Sequence, residues 1–160
     1  MNPFQNTADL VAVIEKVLPA LAAKALALEP ERTGGYLSIR SVEKGGLITS
    51  QIVAGNPAAE KQSRWKGLSQ EKAERLGAYP AHSFSSQSRD IDSGKYGGAV
   101  RADCDLIFSF SGFSEALDEA FVLAVLQQAG FMNAAGSQAL LAKSGLDQDV
   151  AGRHLADLLR

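Results

Sequence analysis

Cysteine is almost absent. Cys104 is the only one, so no internal disulfide can close, which fits a reducing compartment. Histidine is nearly as scarce. His82 and His154 stand far apart and lack the HxxxH or CxxC spacing of a zinc site, so no dedicated metal centre is expected. An excess of charge is missing too. Sixteen Lys and Arg face 18 Asp and Glu, for a net charge of -2, which gives no electrostatic reason to expect nucleic acid or an anionic membrane as a partner. The Ala- and Leu-rich stretch from Leu10 to Leu28 is interrupted by Glu15, Lys16, Pro19 and Lys24, whereas a membrane span needs about 20 mostly apolar residues. No basic segment followed by an apolar one opens the chain, so a cytoplasmic location and no membrane contact are expected. Phosphate-loop patterns are absent as well. Phe110-Ser111-Gly112-Phe113-Ser114 superficially resembles a nucleophile elbow but lacks its GxSxG spacing.

What remains is ordinary globular material. Hydrophobic residues make up 46% of 160 positions and charged residues 21%, enough for one domain spanning 1–160 with one sizeable core. A first helix is expected to Leu28, with Asn6-Thr7 as cap and Pro19 kinking or splitting it. Strands over Gly35 to Val42 and Leu47 to Val53 follow, joined by a Gly45-Gly46 turn. Asn56-Pro57 reads as the start of a second helix that runs to about Leu76 and stops at Gly77. Trp65, Leu68 and Leu76 share one of its faces with Lys72.

The strongest β signal is Cys104, Leu106, Phe108 and Phe110 alternating with Asp105, Ile107, Ser109 and Ser111. Tyr96 to Ala102 should pair with it antiparallel, setting Gly97 opposite Phe110 and Ala99 opposite Phe108. Phe84 to Arg89 is a weaker strand before a turn at Asp90 to Gly94. Ser114 then caps a helix whose later part, Ala120 to Leu126, is apolar all round and therefore buried in the core or at a subunit interface. Shorter helices near Gln138 to Lys143 and Asp147 to Leu159 form a C-terminal extension from about 131. The expected class is α+β, with a mainly antiparallel five-stranded sheet and helices packed on it.

Several residues carry candidate chemistry. Lys72 either lays its stem along the apolar stripe and sends its ammonium to water, or points into a cleft as an anion partner. His82 follows a proline-containing connector and could line a pocket. Gly97 and Gly98 inside a strand mark the close approach of a ring, a backbone or a ligand. Asp118 and Glu119 are either helix-dipole partners or caps for the amides of a neighbouring loop. Cys104 reads as a small buried hydrophobe.

Tyr96-Gly97-Gly98-Ala99-Val100, Phe108-Ser109-Phe110-Ser111-Gly112 and Leu117-Asp118-Glu119-Ala120, with Gln70-Glu71-Lys72-Ala73 upstream, together resemble the GlcG/HbpS-like family. The resemblance covers roughly Pro57 to Leu126. It implies profilin-like α-β-α layers, frequent assembly into homo-oligomers and, in some members, haem or corrinoid binding. Carried onto this chain it touches Lys72, Gly97, Gly98, Ser111, Gly112, Asp118 and Glu119. The serine-rich stretch Ser83 to Ser88 and the tail beyond Gly130 depart from the family pattern.

Three functions are therefore expected in competition. One is a small-molecule-binding module for haem, a corrinoid or another planar anion, with Lys72, His82, Tyr96, Gly97, Gly98, Arg101 and Ser111 around the ligand. Another is an enzyme on a small metabolite with Lys72 or His82 as acid–base group. The third is a non-catalytic oligomer joined through Ala120 to Leu126.

Overall fold

A computed structural model of the protein describes residues 7–42, 48–102 and 105–160. In chain order these form α1 (Thr7–Leu28), β1 (Gly34–Ser41), β2 (Ile48–Gly55), α2 (Ala59–Ala78), a short 3-10 turn (Ser85–Ser88), β3 (Ala99–Arg101), β4 (Leu106–Ser111), α3 (Glu115–Gln128), α4 (Ala134–Leu141) and α5 (Gln148–Leu159). The sheet has four strands rather than five, in the order β2-β1-β4-β3, and every neighbouring pair is antiparallel. The Gly45-Gly46 turn, the Asp103-Cys104 turn and the reading of Cys104 lie outside the described residues.

The missing strand is Phe84 to Arg89. The Gln87 side-chain carbonyl accepts the backbone N–H of Ser83 at 2.7 Å and of Phe84 at 2.9 Å. Arg75 takes the carbonyls of Ser85 at 2.6 Å and Ser88 at 3.2 Å. Groups that a strand would offer to a neighbour are thus spent locally. Only Phe84 makes a bridge to the sheet, opposite Val100.

The β3–β4 register is one residue away from the expected one: Ala99 faces Ser109 and Val100 faces Phe108. A slip of one residue exchanges the faces of a strand. Val100 therefore joins Phe108 and Phe110 in the main core, while Ala99 lies with Ile107 on the opposite side. Gly98 has a φ of 126°, which ends the regular strand there and leaves β3 three residues long.

One face of the sheet is covered by α1 and α3, with α5 behind them. Leu37, Ile39, Phe108 and Phe110 meet Ile14, Leu21, Phe121 and Leu155 in one cluster. Residues Leu117 through Leu126 of α3 are all buried within the single chain. This corrects the expectation of a subunit interface there: the apolar girdle of α3 is already consumed by the fold. Helices α4 and α5 are part of the same body, since Leu141, Ala151, Leu155 and Leu158 belong to this core. Helix α1 runs unbroken past Pro19, which sits exposed within it.

Helix α2 covers the other face. Its start and stop both differ from expectation. The N–H of Asn56 bonds the carbonyl of Thr33 at 2.8 Å, and the Thr33 hydroxyl takes the Ala58 N–H at 3.1 Å. These bonds hold the approach extended until Ala59. Gly77 lies inside the helix, where the Arg40 guanidinium occupies the space a side chain would need.

Candidate functional site

Lys72 is the largest fully buried polar side chain among the described residues, at 2% exposure. Its ammonium donates to Asp118 Oδ2 at 2.9 Å and to the carbonyl of Phe110 at 2.9 Å. Neither expected reading of Lys72 holds fully. The ammonium does not reach bulk water, and its first anion partner belongs to the protein. The pair joins α2, on one face of the sheet, to α3, on the other. Gly98 makes this possible: a side chain there would come within 2.8 Å of Lys72 Nζ and 2.7 Å of the Phe110 carbonyl oxygen. Of the ring, backbone or ligand expected to approach here, it is backbone, the Phe110 carbonyl, that comes nearest, together with the ion pair.

Asp118 sits in the first turn of α3 and closes the β4–α3 corner. Its Oδ1 accepts the Phe113 N–H at 2.9 Å, so the reading of Asp118 as a cap for a loop amide is met. Burial pushes its carboxyl up to about 7, against the opposing pull of the Lys72 ammonium and the Phe113 N–H. Ser114, the N-cap residue, makes no side-chain capping bond of its own. Its N–H and hydroxyl are instead donated to the Glu29 carboxylate at the end of α1.

Around this pair lies a cavity of about 320 Å³ between α2 and the β4–α3 corner. Helix α2 contributes Arg64, Trp65, Leu68 and Lys72 to its wall. The corner contributes Ser111, Phe113, Ser114, Glu115 and Asp118, and Arg32 and Tyr96 complete it. Tyr96 is placed by Arg75, which donates to its backbone carbonyl and fastens the 3-10 turn beside it.

The charges of the wall do not cancel evenly. Asp118 is paired with Lys72. Glu115 is held by Arg89 through contacts of 2.7 to 3.0 Å and accepts the Gly97 N–H at 2.8 Å. Burial acts to raise the Glu115 carboxyl, but the Arg89 and Gly97 bonds win and leave it below its ordinary value. Arg32 has only loose contacts, 3.6 Å to Glu29 and 3.9 Å to Glu31. Arg64 lies over the Trp65 ring at 5.3 Å. The wall carboxylates are thus already spent, while Arg64 has no ion-pair partner among the described residues and Arg32 is held only loosely.

Of the expected site residues, Lys72, Tyr96 and Ser111 meet at this cavity, and Gly98 packs directly behind the ion pair. Gly97 offers its N–H to Glu115 and lies against Glu119. His82 and Arg101 do not join them. Arg101 donates to the carbonyls of Leu76, Tyr79 and His82 and closes the C-terminal end of α2, where a cation complements the helix dipole. His82 stacks on Tyr79 with centroids 4.9 Å apart.

Sequence reasoning missed Arg32, Arg64, Phe113 and Glu115 as site residues. A usable signal existed for Trp65 and Leu68, which lie seven and four residues before Lys72 and hence on the same helix face. Arg32 and Arg64 carried none, because only the folded chain brings them to one opening.

Glu119, next to Asp118, has a different fate. It is fully buried and accepts the Ser144 hydroxyl at 2.6 Å, while its Oε1 has no partner among the described residues. Burial pushes it up to about 7, against the opposing pull of the nearby Ser144 and Ser86 hydroxyls and with the help of nearby Glu115. It ties the α4–α5 connection to α3, and the same connection meets the 3-10 turn through the Gly145 N–H, which donates to Ser86 Oγ at 3.0 Å.

Among the described residues no helix is long and apolar enough to cross a membrane, and no cluster of His, Cys, Asp and Glu could hold a metal ion. No family model matches the chain, and no curated protein or solved structure is significantly similar to it.

Proposed function

We propose that this protein is a binding module that takes a planar organic anion in the cavity between α2 and the β4–α3 corner. The observation that carries this reading is the charge balance of the wall. Both of its carboxylates are satisfied within the chain, while at the opening Arg64 has no ion-pair partner among the described residues and lies over the Trp65 ring, and Arg32 meets Glu29 and Glu31 only at 3.6 and 3.9 Å. Trp65, Tyr96 and Phe113 supply flat apolar surface, and the volume lies at the small end of the range of ligand pockets. A few placed polar groups in an apolar wall favour orientation and specificity over bulk affinity.

Haem or a corrinoid is a demanding occupant. Such groups need an axial donor, commonly His, Cys, Met or Tyr for haem. Among the described wall residues Tyr96 alone is of those types, and neither histidine takes part. The fit favours a smaller anion such as an aromatic carboxylate. Kinship with the GlcG/HbpS-like family belongs to this reading. Its support is that Lys72, Gly98, Ser111 and Asp118, quoted from separate motifs, converge on one place. Assembly into a homo-oligomer rests on that kinship alone, and light scattering reads it.

Trp65 is the sole tryptophan, so intrinsic fluorescence reports from the cavity wall. Titration with haemin, cobalamin and a panel of aromatic carboxylates should give saturable quenching with one of them at micromolar concentration. Arg64→Ala should weaken that ligand about tenfold with no change in fold. Flat fluorescence with every compound would remove the proposal.

An enzymatic reading has one observation in its favour. Lys72, unlike His82, stands in the cavity wall beside a carboxyl able to exchange a proton with it.

A further inference from the structure

The geometry points to Lys72 as a site of reversible imine formation with carbonyl-bearing anions. The inference rests on the binding reading for delivery of the ligand and goes beyond it in chemistry. A lysine reacts with a carbonyl only as the free amine, so reactive lysines are desolvated ones with somewhere to put a proton. Lys72 meets both conditions. It is 2% exposed and forms part of a cavity wall, and Asp118 Oδ2 lies 2.9 Å from its nitrogen. An ammonium has three N–H groups, and the described residues supply only two acceptors, Asp118 and the Phe110 carbonyl. One tetrahedral direction at the nitrogen is therefore unspent on the protein.

The groups around the nitrogen suit the sequence of steps. Lys72 passes a proton to Asp118, whose burial already favours its neutral form. The freed amine attacks the carbonyl carbon, forming a C–N bond while the π electrons move to oxygen. A proton shifts from nitrogen to that oxygen, giving a carbinolamine. Asp118 then returns its proton to the hydroxyl, water departs and the C=N bond closes as a protonated iminium. The net change is ammonium plus carbonyl to iminium plus water, with Asp118 back where it began and no oxidant or reductant used. Whenever Asp118 is ionised a cation stands beside it, the ammonium at the start and the iminium at the end, and in between both groups are neutral, so the site is never left with a lone buried anion. Arg32 and Arg64 at the mouth select carbonyl compounds that also carry a carboxylate.

The test uses 4-carboxybenzaldehyde, a planar anion with one aldehyde, incubated with the intact protein and then treated with cyanoborohydride to lock any imine. Peptide mass spectrometry should find the benzylated lysine at Lys72. The exposed Lys61 and Lys95 serve as internal references, and Lys72 should exceed either about tenfold in occupancy. Asp118→Asn should retain the fold by circular dichroism and slow labelling at Lys72 while leaving Lys61 unchanged. If that variant fails to fold, the site map of the unaltered chain decides the matter alone. Saturable Trp65 quenching without preferential labelling of Lys72 would overturn the imine and leave the binding reading standing. Neither quenching nor labelling would remove both. Labelling without quenching would keep the imine and remove the anion site.

Discussion

Leu37, Ile39, Phe108 and Phe110 leave the sheet on one side, and Ser38, Ser109, Ser111 and Arg40 leave it on the other. The first group enters a continuous apolar core in which the rings of Phe110, Phe113 and Phe121 pack with centroids 4.6 to 5.6 Å apart. The second meets a polar helix. Ser38 and Ser69 share a hydrogen bond of 2.7 Å, Gln51 reaches both, and Arg40 donates to the carbonyls of Ala73 and Glu74. Only a small apolar patch of Ala73, Leu76, Ala99 and Ile107 lies between α2 and the sheet. The first face holds the protein together, because apolar area removed from water is the dominant favourable term in folding. The second holds groups in directions, because hydrogen bonds contribute little net energy but fix geometry. The cavity and its lysine stand on the second face.

Substitutions can break this contrast. Phe121→Ala, in the apolar layer, should cost about 3–5 kcal/mol in urea denaturation. A loss under 1 kcal/mol would mean that the three rings do not form the core. Lys72→Met leaves Asp118 buried without its cation and should cost about 3 kcal/mol at pH 8, with much of that recovered at pH 5 where the carboxyl takes a proton. A cost independent of pH would show that packing, not charge, is what the lysine supplies.

Glu119→Gln sharpens the comparison through pH. The folded value of about 7 lies above the ordinary 4.5, so the folded protein binds the proton more tightly than the unfolded chain. That advantage is complete below about pH 4.5 and gone above about pH 7. Stability should therefore fall by roughly 3 kcal/mol across this window because of Glu119, and the glutamine variant should show a flatter profile. Asp118 titrates in the same direction, so a residual slope is expected in that variant. The smallest effect belongs to Ser109→Ala. The Ser109 hydroxyl is buried with no partner among the described residues, so its removal should be neutral or slightly stabilising. A clear destabilisation would reveal a bond to ordered water.

The apolar face was the legible one. Period-two alternation in β4, the all-apolar run of α3 and the antiparallel class all follow from patterns that a sequence displays directly. The polar face was not. Helix α2 has few apolar residues to mark its inward side, and Lys72 on that side reads naturally as a snorkelling lysine until Asp118, 46 positions away, is seen beside it. The missing fifth strand has the same origin. Gln87 takes the N–H groups of Ser83 and Phe84 from within the segment, Arg75 takes its carbonyls from outside, and no local propensity encodes a donor arriving from α2. Gly97-Gly98 signals close approach, and that is what it provides: the Phe110 carbonyl and the Lys72–Asp118 pair crowd Gly98, while Ser86, Glu119 and Leu146 crowd Gly97.

Arg75 has one more consequence. Its guanidinium binds the carbonyls of Ser85, Ser88 and Tyr96, and most of the chain between those residues lies off the sheet. That stretch has little ladder of its own to hold it, so it can set only after α2 has docked, and it should release before the strands do. Amide hydrogens from 86 to 96 should thus exchange faster than those of β1 and β4. Because Tyr96 stands at the end of that stretch, each such opening also unlatches one wall of the cavity, giving a guest a way in and out without unfolding the rest.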